Sequence, residues 1–285
     1  YKQVSNAAHE HLSGVIDGET LSGEKLKISG KDIVIELSRS PRVRFDIAPA
    51  YFTSFAYIGE ILERSRGVEA IDVPFDLLEK GIEAANWVEQ NQRMRAIAWP
   101  ATFAYLGDHM HRYEGEILVP PIAPPPKPND EVIDPGIFVT ITGIPGLERL
   151  YADARRLGLK LYSNDTHAVE GSTHALPHTI PNKNMALQFA RAGWSSIWIS
   201  MIAGTPLVMP EFDAKDDPEI YFNNRSVEAL GLGVVYRGQS LQDILKETPR
   251  LKEACRTMKE TIRARWGTLD GNQYCAQLCV DDFCR

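Results

Sequence analysis

No stretch of the 285 residues approaches the roughly 20 consecutive apolar side chains that a bilayer-spanning helix requires, so a chain without transmembrane helices is expected. A basic excess is missing too. With 31 Lys and Arg against 38 Asp and Glu, the formal net charge is −7, which opposes a nucleic-acid or anionic-membrane role because phosphates are repelled at long range. A local basic pocket is compatible with that balance. Cysteine is scarce and confined to the last stretch, at Cys255, Cys275, Cys279 and Cys284, with no C-x-x-C pair, so no metal site is expected. Reduced thiols are the plain reading. Cys275 and Cys279 would be neighbours on a helix, which keeps a local disulfide, a metal or a crosslink open. The residues after Tyr1 lack the basic, apolar and small-residue pattern of a secretory leader, and a cytoplasmic location is expected. A start on Tyr rather than Met suggests residues missing upstream.

What is present is a 44% hydrophobic composition, enough to bury a sizeable core, arranged in two halves. The clearest boundary is the run from Pro120 to Pro128, in which closely spaced prolines remove backbone donors and favour extended conformation. It divides the chain into an α/β domain over 1–120, a proline-rich interdomain linker over 121–135, and a second α/β domain over 136–285. In the first half, strand-like residues 32–37 precede a helical pattern over 51–66, and 69–73 precede another over 75–90. In the second, strands are expected at 136–141, 159–163, 207–209 and 233–236. Helices are expected at 147–157, 196–203, 223–230, 241–246 and 250–266. Strands alternating with helices imply a parallel sheet with right-handed crossovers.

In such sheets ligands bind where strands end, because glycine-rich turns admit a close approach and helix amino termini offer unsatisfied N–H groups. Two loops fit. Thr142-Gly143-Ile144-Pro145-Gly146 follows the first strand of the second half; Arg191-Ala192-Gly193-Trp194-Ser195-Ser196 enters an apolar helix running to Gly204. Taken as local chemistry, each is equally an ordinary strand-to-helix turn. Trp194 and Trp198, at i and i+4, form either a stacking platform for a ring or core packing.

The segment from Arg191 to Ser196, then Ala203-Gly204-Thr205-Pro206-Leu207-Val208, Pro210, an acidic stretch, Asn223 or Asn224, and Val227 to Gly233 together resemble the donor-binding region of GT-B glycosyltransferases. The similarity is to the macrolide and natural-product transferases and to the N-acetylglucosaminyltransferase of the lipid-linked cell-wall precursor, over roughly residues 136–266. The resemblance implies an α/β, GT-B-like fold of two Rossmann-like domains with a cleft between them. It also implies transfer of a sugar from a nucleoside diphosphate sugar, of UDP or dTDP type, to a hydroxyl of a small-molecule or lipid-linked acceptor. It implies no cofactor and no metal. By the same resemblance, Arg191 and Gly193 to Ser196 sit at the donor diphosphate, with Thr142 and Gly143 facing it. His178 and Ile180 lie in the segment whose backbone meets the base, and Asp213, Asp216, Asp217 and Glu219 lie where a carboxylate meets sugar hydroxyls.

One departure stands out. The family commonly carries a ribose-binding Glu three residues after the final Ser, and here that position is Ile199. The catalytic residue is not identified, since His9, His11, His109 and His111 lie in uninformative segments and His167, His174 and His178 fall in the donor half. Two alternatives therefore stand beside the transferase: a non-hydrolysing sugar-nucleotide epimerase, suggested by the Gly-Ser helix entry and Asp217-Pro218-Glu219, and a non-catalytic subunit of the same fold, suggested by Ile199. A homo-oligomer or partner subunit is left open.

Overall fold

The computed structural model describes residues 35–36, 51–72, 75–107, 112–140 and 146–284. They build two sheets. A four-stranded sheet has the order β1 (Ile35–Glu36), β2 (Tyr51–Ser54), β3 (Met94–Ala98) and β4 (Ile117–Val119). A six-stranded sheet contains β5 (Gly136–Val139), β6 (Lys160–Ser163), β7 (Thr173–His174), β8 (Met185–Phe189), β9 (Leu207–Pro210) and β10 (Gly233–Tyr236), in the order β10-β9-β8-β5-β6-β7. All five of its pairings are parallel. The chain thus builds outward from β5 to β6 and β7, then returns to the other side of β5 for β8, β9 and β10. That reversal puts the topological switch point between β5 and β8.

The helices are α1 (Ile58–Ser65), α2 (Phe75–Gln90), α3 (Glu148–Arg156), α4 (Trp194–Ala203), α5 (Pro218–Ala229), α6 (Leu241–Trp266) and α7 (Gly271–Phe283). Central strands of a parallel sheet are covered on both faces, and β5 shows it: Ile137, Phe138 and Val139 are fully buried. Phe138 anchors a cluster with Tyr162, Ile180 and Met185, against which Ile199 and Ala203 of α4 pack. Glycine opens β5 because a Cβ on Gly136 would lie 2.5 Å from the Lys160 carbonyl oxygen and 2.6 Å from the Tyr162 ring. No described helix is long and apolar enough to cross a membrane.

The described secondary structure corrects the sequence reading in several places. Residues 51–66 are not one helix: Tyr51–Ser54 pairs in parallel with β3 as a strand before α1 begins. Tyr51 and Thr53, an aromatic and a β-branched residue, are buried there and suit a pleated strand better than a helix. Residues 69–72 form turn and coil instead of a strand. The helices expected at 241–246 and 250–266 are one, α6, with Pro249 inside it. Leu241, Ile244, Leu251, Cys255 and Ile262 are buried along its length, and packing on both sides of the proline outweighs the lost backbone bond. Helices α4 and α5 begin earlier than expected, at Trp194 and Pro218, and strands β3, β4, β7 and β8 were not foreseen. All four cysteines are free, with Cys255 and Cys275 buried and their thiols pushed up to about 12 by burial.

By internal contacts the chain separates into two compact units. One holds residues 1–66, 73–97 and 111–117; the other holds 67–72, 98–110 and 118–285. The proline-rich segment packs within the second unit. Pro120 and Pro121 are buried, and the Pro121 carbonyl accepts the Gly271 N–H at 2.9 Å. Asn182 donates to Asn129 and to the Glu131 carbonyl, and Asn184 to the Ile133 carbonyl, so 129–133 is pinned as well.

Within the first unit, α1 lacks a side-chain cap of its own, and Glu89 from α2 supplies one. Its Oε1 accepts the Gly59 N–H at 3.0 Å, while Oε2 accepts the Tyr113 hydroxyl at 3.1 Å and lies 3.5 Å from Arg112 Nε. Arg112 also bonds Glu63 and Asn86. Glu89 is only 2% exposed, and burial outweighs these donors, raising its pKa from 4.5 to about 7.

A carboxyl whose native pKa is raised binds its proton more tightly folded than unfolded, so it stabilises below its unfolded pKa and loses that contribution as pH rises through the native value. The first unit should therefore lose stability between about pH 4.5 and about pH 7, and Glu89→Gln should flatten that slope relative to wild type in denaturant titrations. An equal slope in both proteins would refute the assignment. In the second unit, Phe138→Ala should cost about 3–5 kcal/mol, read by the same titration at fixed pH.

Candidate nucleotide-binding site

At the switch point the carboxyl end of β8 leads through Ala190 to Gly193 directly into α4. The adjoining loop after β5, which includes Thr142 and Gly143, lies outside the described residues. Gly193 is the helix N-cap with extended backbone, φ −83° and ψ 140°, and no side chain among the described residues caps the helix. The first helical bond runs from the Ile197 N–H to the Gly193 carbonyl at 3.0 Å, which leaves the N–H groups of Trp194, Ser195 and Ser196 outside the helical ladder. Ser195 is exposed and Ser196 half-buried. Among the described residues a Cβ on Gly193 would meet nothing within 4 Å. Neither backbone conformation nor a packing neighbour among those residues demands a glycine there.

A buried amide holds the entry in place. Gln188 of β8 is 1% exposed; its Nε2 donates to Thr140 Oγ1 at the end of β5, and its Oε1 accepts the Ser200 hydroxyl of α4 at 2.5 Å. Three elements around the switch point are thereby bonded through one side chain.

The two indoles expected as platform or packing are in the core. Trp194 and Trp198 are each 2% exposed and tilt together with centroids 5.5 Å apart. Trp194 Nε1 donates to Thr102 Oγ1 at 2.9 Å and Trp198 Nε1 to the Pro100 carbonyl at 3.1 Å. The stacking-platform alternative falls away, because neither ring face is open; what Trp194 offers at the entry is its backbone N–H. The 100–105 segment makes further bonds to α5, with the Ser226 hydroxyl donating to the Thr102 carbonyl at 2.7 Å and accepting the Tyr105 N–H at 3.2 Å.

The acidic candidates separate in role. Asp213 accepts the N–H of Lys215 within its own turn. Asp217 is the N-cap of α5, accepting the Glu219 N–H at 3.1 Å ahead of Pro218 at the first helical position. Asp216 pairs with Arg191, bringing the arginine of the α4 loop against the acidic stretch. Glu219, one residue into the α5 first turn, is buried at 3% exposure and accepts Asn223 Nδ2 at 2.9 Å. That same Nδ2 donates to the Ala192 carbonyl at 2.7 Å. Arg191, Gly193, Glu219 and Asn223 are thus brought together at one strand-to-helix junction. Asn223 was visible in the sequence as part of a motif but without a role, and Gln188 carried no signal.

The remaining candidates lie on the approach to β8. Ile180 is buried; its N–H donates to Pro177 O and its carbonyl accepts the Thr205 hydroxyl at 2.7 Å, so only that oxygen's second lone pair is left for a ligand. His178 is exposed, with Nε2 3.6 Å from Glu131. Ile199 packs toward the Phe138 cluster and offers no acceptor. His167 and His174 are exposed; His9, His11, His109 and His111 lie outside the described residues.

No protein-family model matches the chain, and no curated protein matches it in sequence. Solved structures do match. UGT2 of Phytolacca americana, complexed with UDP-2fluoro-glucose and pterostilbene, superposes with a TM-score of 0.57 at 10% identity, over 84% of this chain and 72% of that one. The glycosyltransferase of kitacinnamycin superposes with a TM-score of 0.50 at 13% identity, over 82% and 76%. With parallel sheets alternating with helices and these proteins as structural neighbours, the chain has an α/β fold of the GT-B glycosyltransferase type.

Proposed function

We propose that this protein is a glycosyltransferase that moves a sugar from a nucleoside diphosphate sugar, of UDP or dTDP type, to an acceptor hydroxyl. The observation that carries the reading is the α4 entry, an uncapped helix start opened by Gly193 at the switch point of a six-stranded parallel sheet. Three N–H groups outside the helical ladder and the positive end of the helix dipole suit a diphosphate. As the glycosidic bond breaks, charge builds on the leaving diphosphate, and preorganised donors that already face it stabilise that charge without a metal ion. Arg191, exposed and steered by Asp216, is the nearest cation on the same loop. Glu219 is the carboxylate best held to meet sugar hydroxyls, because it is buried and fixed by Asn223.

A second reading is favoured by one observation, the packing of Ile199 at the position where the family places its ribose-binding acid. In that reading the chain binds a nucleotide weakly and serves as a non-catalytic subunit. Turnover of a UDP- or dTDP-sugar with a hydroxylic acceptor separates the two.

Thermal stability against UDP, GDP, dTDP, CDP and ADP is the direct test: a ligand at ~100 times its dissociation constant should stabilise by ~2.7 kcal/mol. Gly193→Asp sharpens it, since the backbone there suits any residue and a Cβ finds open space among the described residues. An aspartate at an N-cap satisfies helix N–H groups, so the variant should be as stable as wild type or slightly more so, while its carboxylate occupies the anion position and removes the nucleotide response. A stable variant that still responds to nucleotide would refute this site.

A further inference from the structure

Asn223 is fully buried on α5, yet its amide is only half used. Nδ2 spends both hydrogens, one on the Ala192 carbonyl and one on Glu219 Oε1. Oδ1 has no hydrogen-bond partner among the described residues. A buried carbonyl without a donor costs stability, and an apolar side chain of similar shape avoids that cost. Retaining the amide here works against stability and toward the geometry that its nitrogen enforces. That nitrogen bridges two groups of different character: a carboxylate in the first turn of α5, and the carbonyl immediately before the Gly193 turn. Oδ1, on the same carbon as Nδ2, therefore lies beside the α4 entry.

We infer that Asn223 is a positioning residue for the anion site at the α4 entry, tying the Glu219 carboxylate to the backbone before Gly193 so that both meet a nucleoside diphosphate sugar in one fixed arrangement. The inference rests on the glycosyl-transfer reading above and names a residue through which that site is built. The physical basis is directional. A carboxylate accepts, a carbonyl accepts, and only a two-hydrogen donor between them holds the pair together; without it the two oxygens repel and the turn and the acid move apart.

The test reverses that donor. Asn223→Asp puts a carboxyl against a carboxylate and a carbonyl. Two carboxylates this close share a proton as pH falls, and the shared proton then restores one of the lost hydrogen bonds. Isothermal titration of whichever of UDP and dTDP binds wild type more tightly would be run on both proteins from about pH 5 to about pH 8, below the melting temperature of each. Asp217, Arg225 and the Arg191–Asp216 pair are unchanged in the variant, so the ratio of affinities at each pH removes their titration and that of the nucleotide. The expected result is an affinity about tenfold weaker than wild type at the alkaline end, closing toward wild type at the acid end. A ratio near one throughout overturns the inference, and so does a loss that is constant across the range, which marks a purely structural lesion. Should the variant not fold, Asn223→Ser removes both bonds without adding charge. It should bind nucleotide about tenfold more weakly at a temperature where circular dichroism shows it as fully folded as wild type; unchanged binding, or a loss that appears only as the variant melts, overturns the inference. Failure of wild type to bind any nucleotide overturns the glycosyl-transfer reading itself, and this inference with it.

Discussion

The second unit depends on one buried side chain at the centre of its sheet. Gln188 is the polar residue in the innermost part of β8, and both ends of its amide are satisfied, by Thr140 on β5 and Ser200 on α4. A buried amide with matched partners rigidifies and specifies a single arrangement, whereas one lacking a partner is costly. Because its three elements meet at the switch point, this pairing fixes the angle at which α4 leaves β8. The direction of the uncapped N–H groups at Gly193 follows from that angle, and so does the position of the Ala192 carbonyl that Asn223 grips. The proposed site is therefore set by the interior of the sheet more than by the loop that forms its surface.

How much of this was legible in the sequence depended on whether a residue's neighbours were local. Strands β5, β6, β9 and β10 were readable, because each is a short apolar run with glycine or another turn signal beside it. Strand β8 was not, since Met185-Ala186-Leu187-Gln188-Phe189 consists mostly of good helix formers and becomes a strand only by pairing with β5 and β9. The two helices expected at 241–246 and 250–266 flank Pro249, and long-range burial keeps them one helix. At the site, Gly193 stood out as a helix entry and the acidic stretch as a source of carboxylates. Which acid is buried, and that Asn223 holds it, depends on contacts between α5 and the α4 loop, 31 positions apart in the chain.

The segment 100–105 illustrates the same limit. Its sequence placed it within the first half, yet its hydrogen bonds go to Trp194, Trp198 and Ser226. Helices α4 and α5 are thus each fastened to a stretch of chain far upstream of both. Proline content points to a single boundary near residue 120, whereas the compact units interleave along the chain, with limits after 66, 72, 97, 110 and 117. Proline signals a locally extended backbone; where that backbone packs is decided by partners such as Gly271, Asn182 and Asn184.

The distribution of indoles gives the molecule unequal optical visibility. Four of its five tryptophans, Trp99, Trp194, Trp198 and Trp266, belong to the second unit, and two of those are sealed from water with their N–H groups bonded. The first unit contributes only Trp87, which is 54% exposed and so gains less contact with water on unfolding than the two sealed indoles. A red shift in fluorescence therefore reports mainly the opening of the second unit, while circular dichroism records the loss of both.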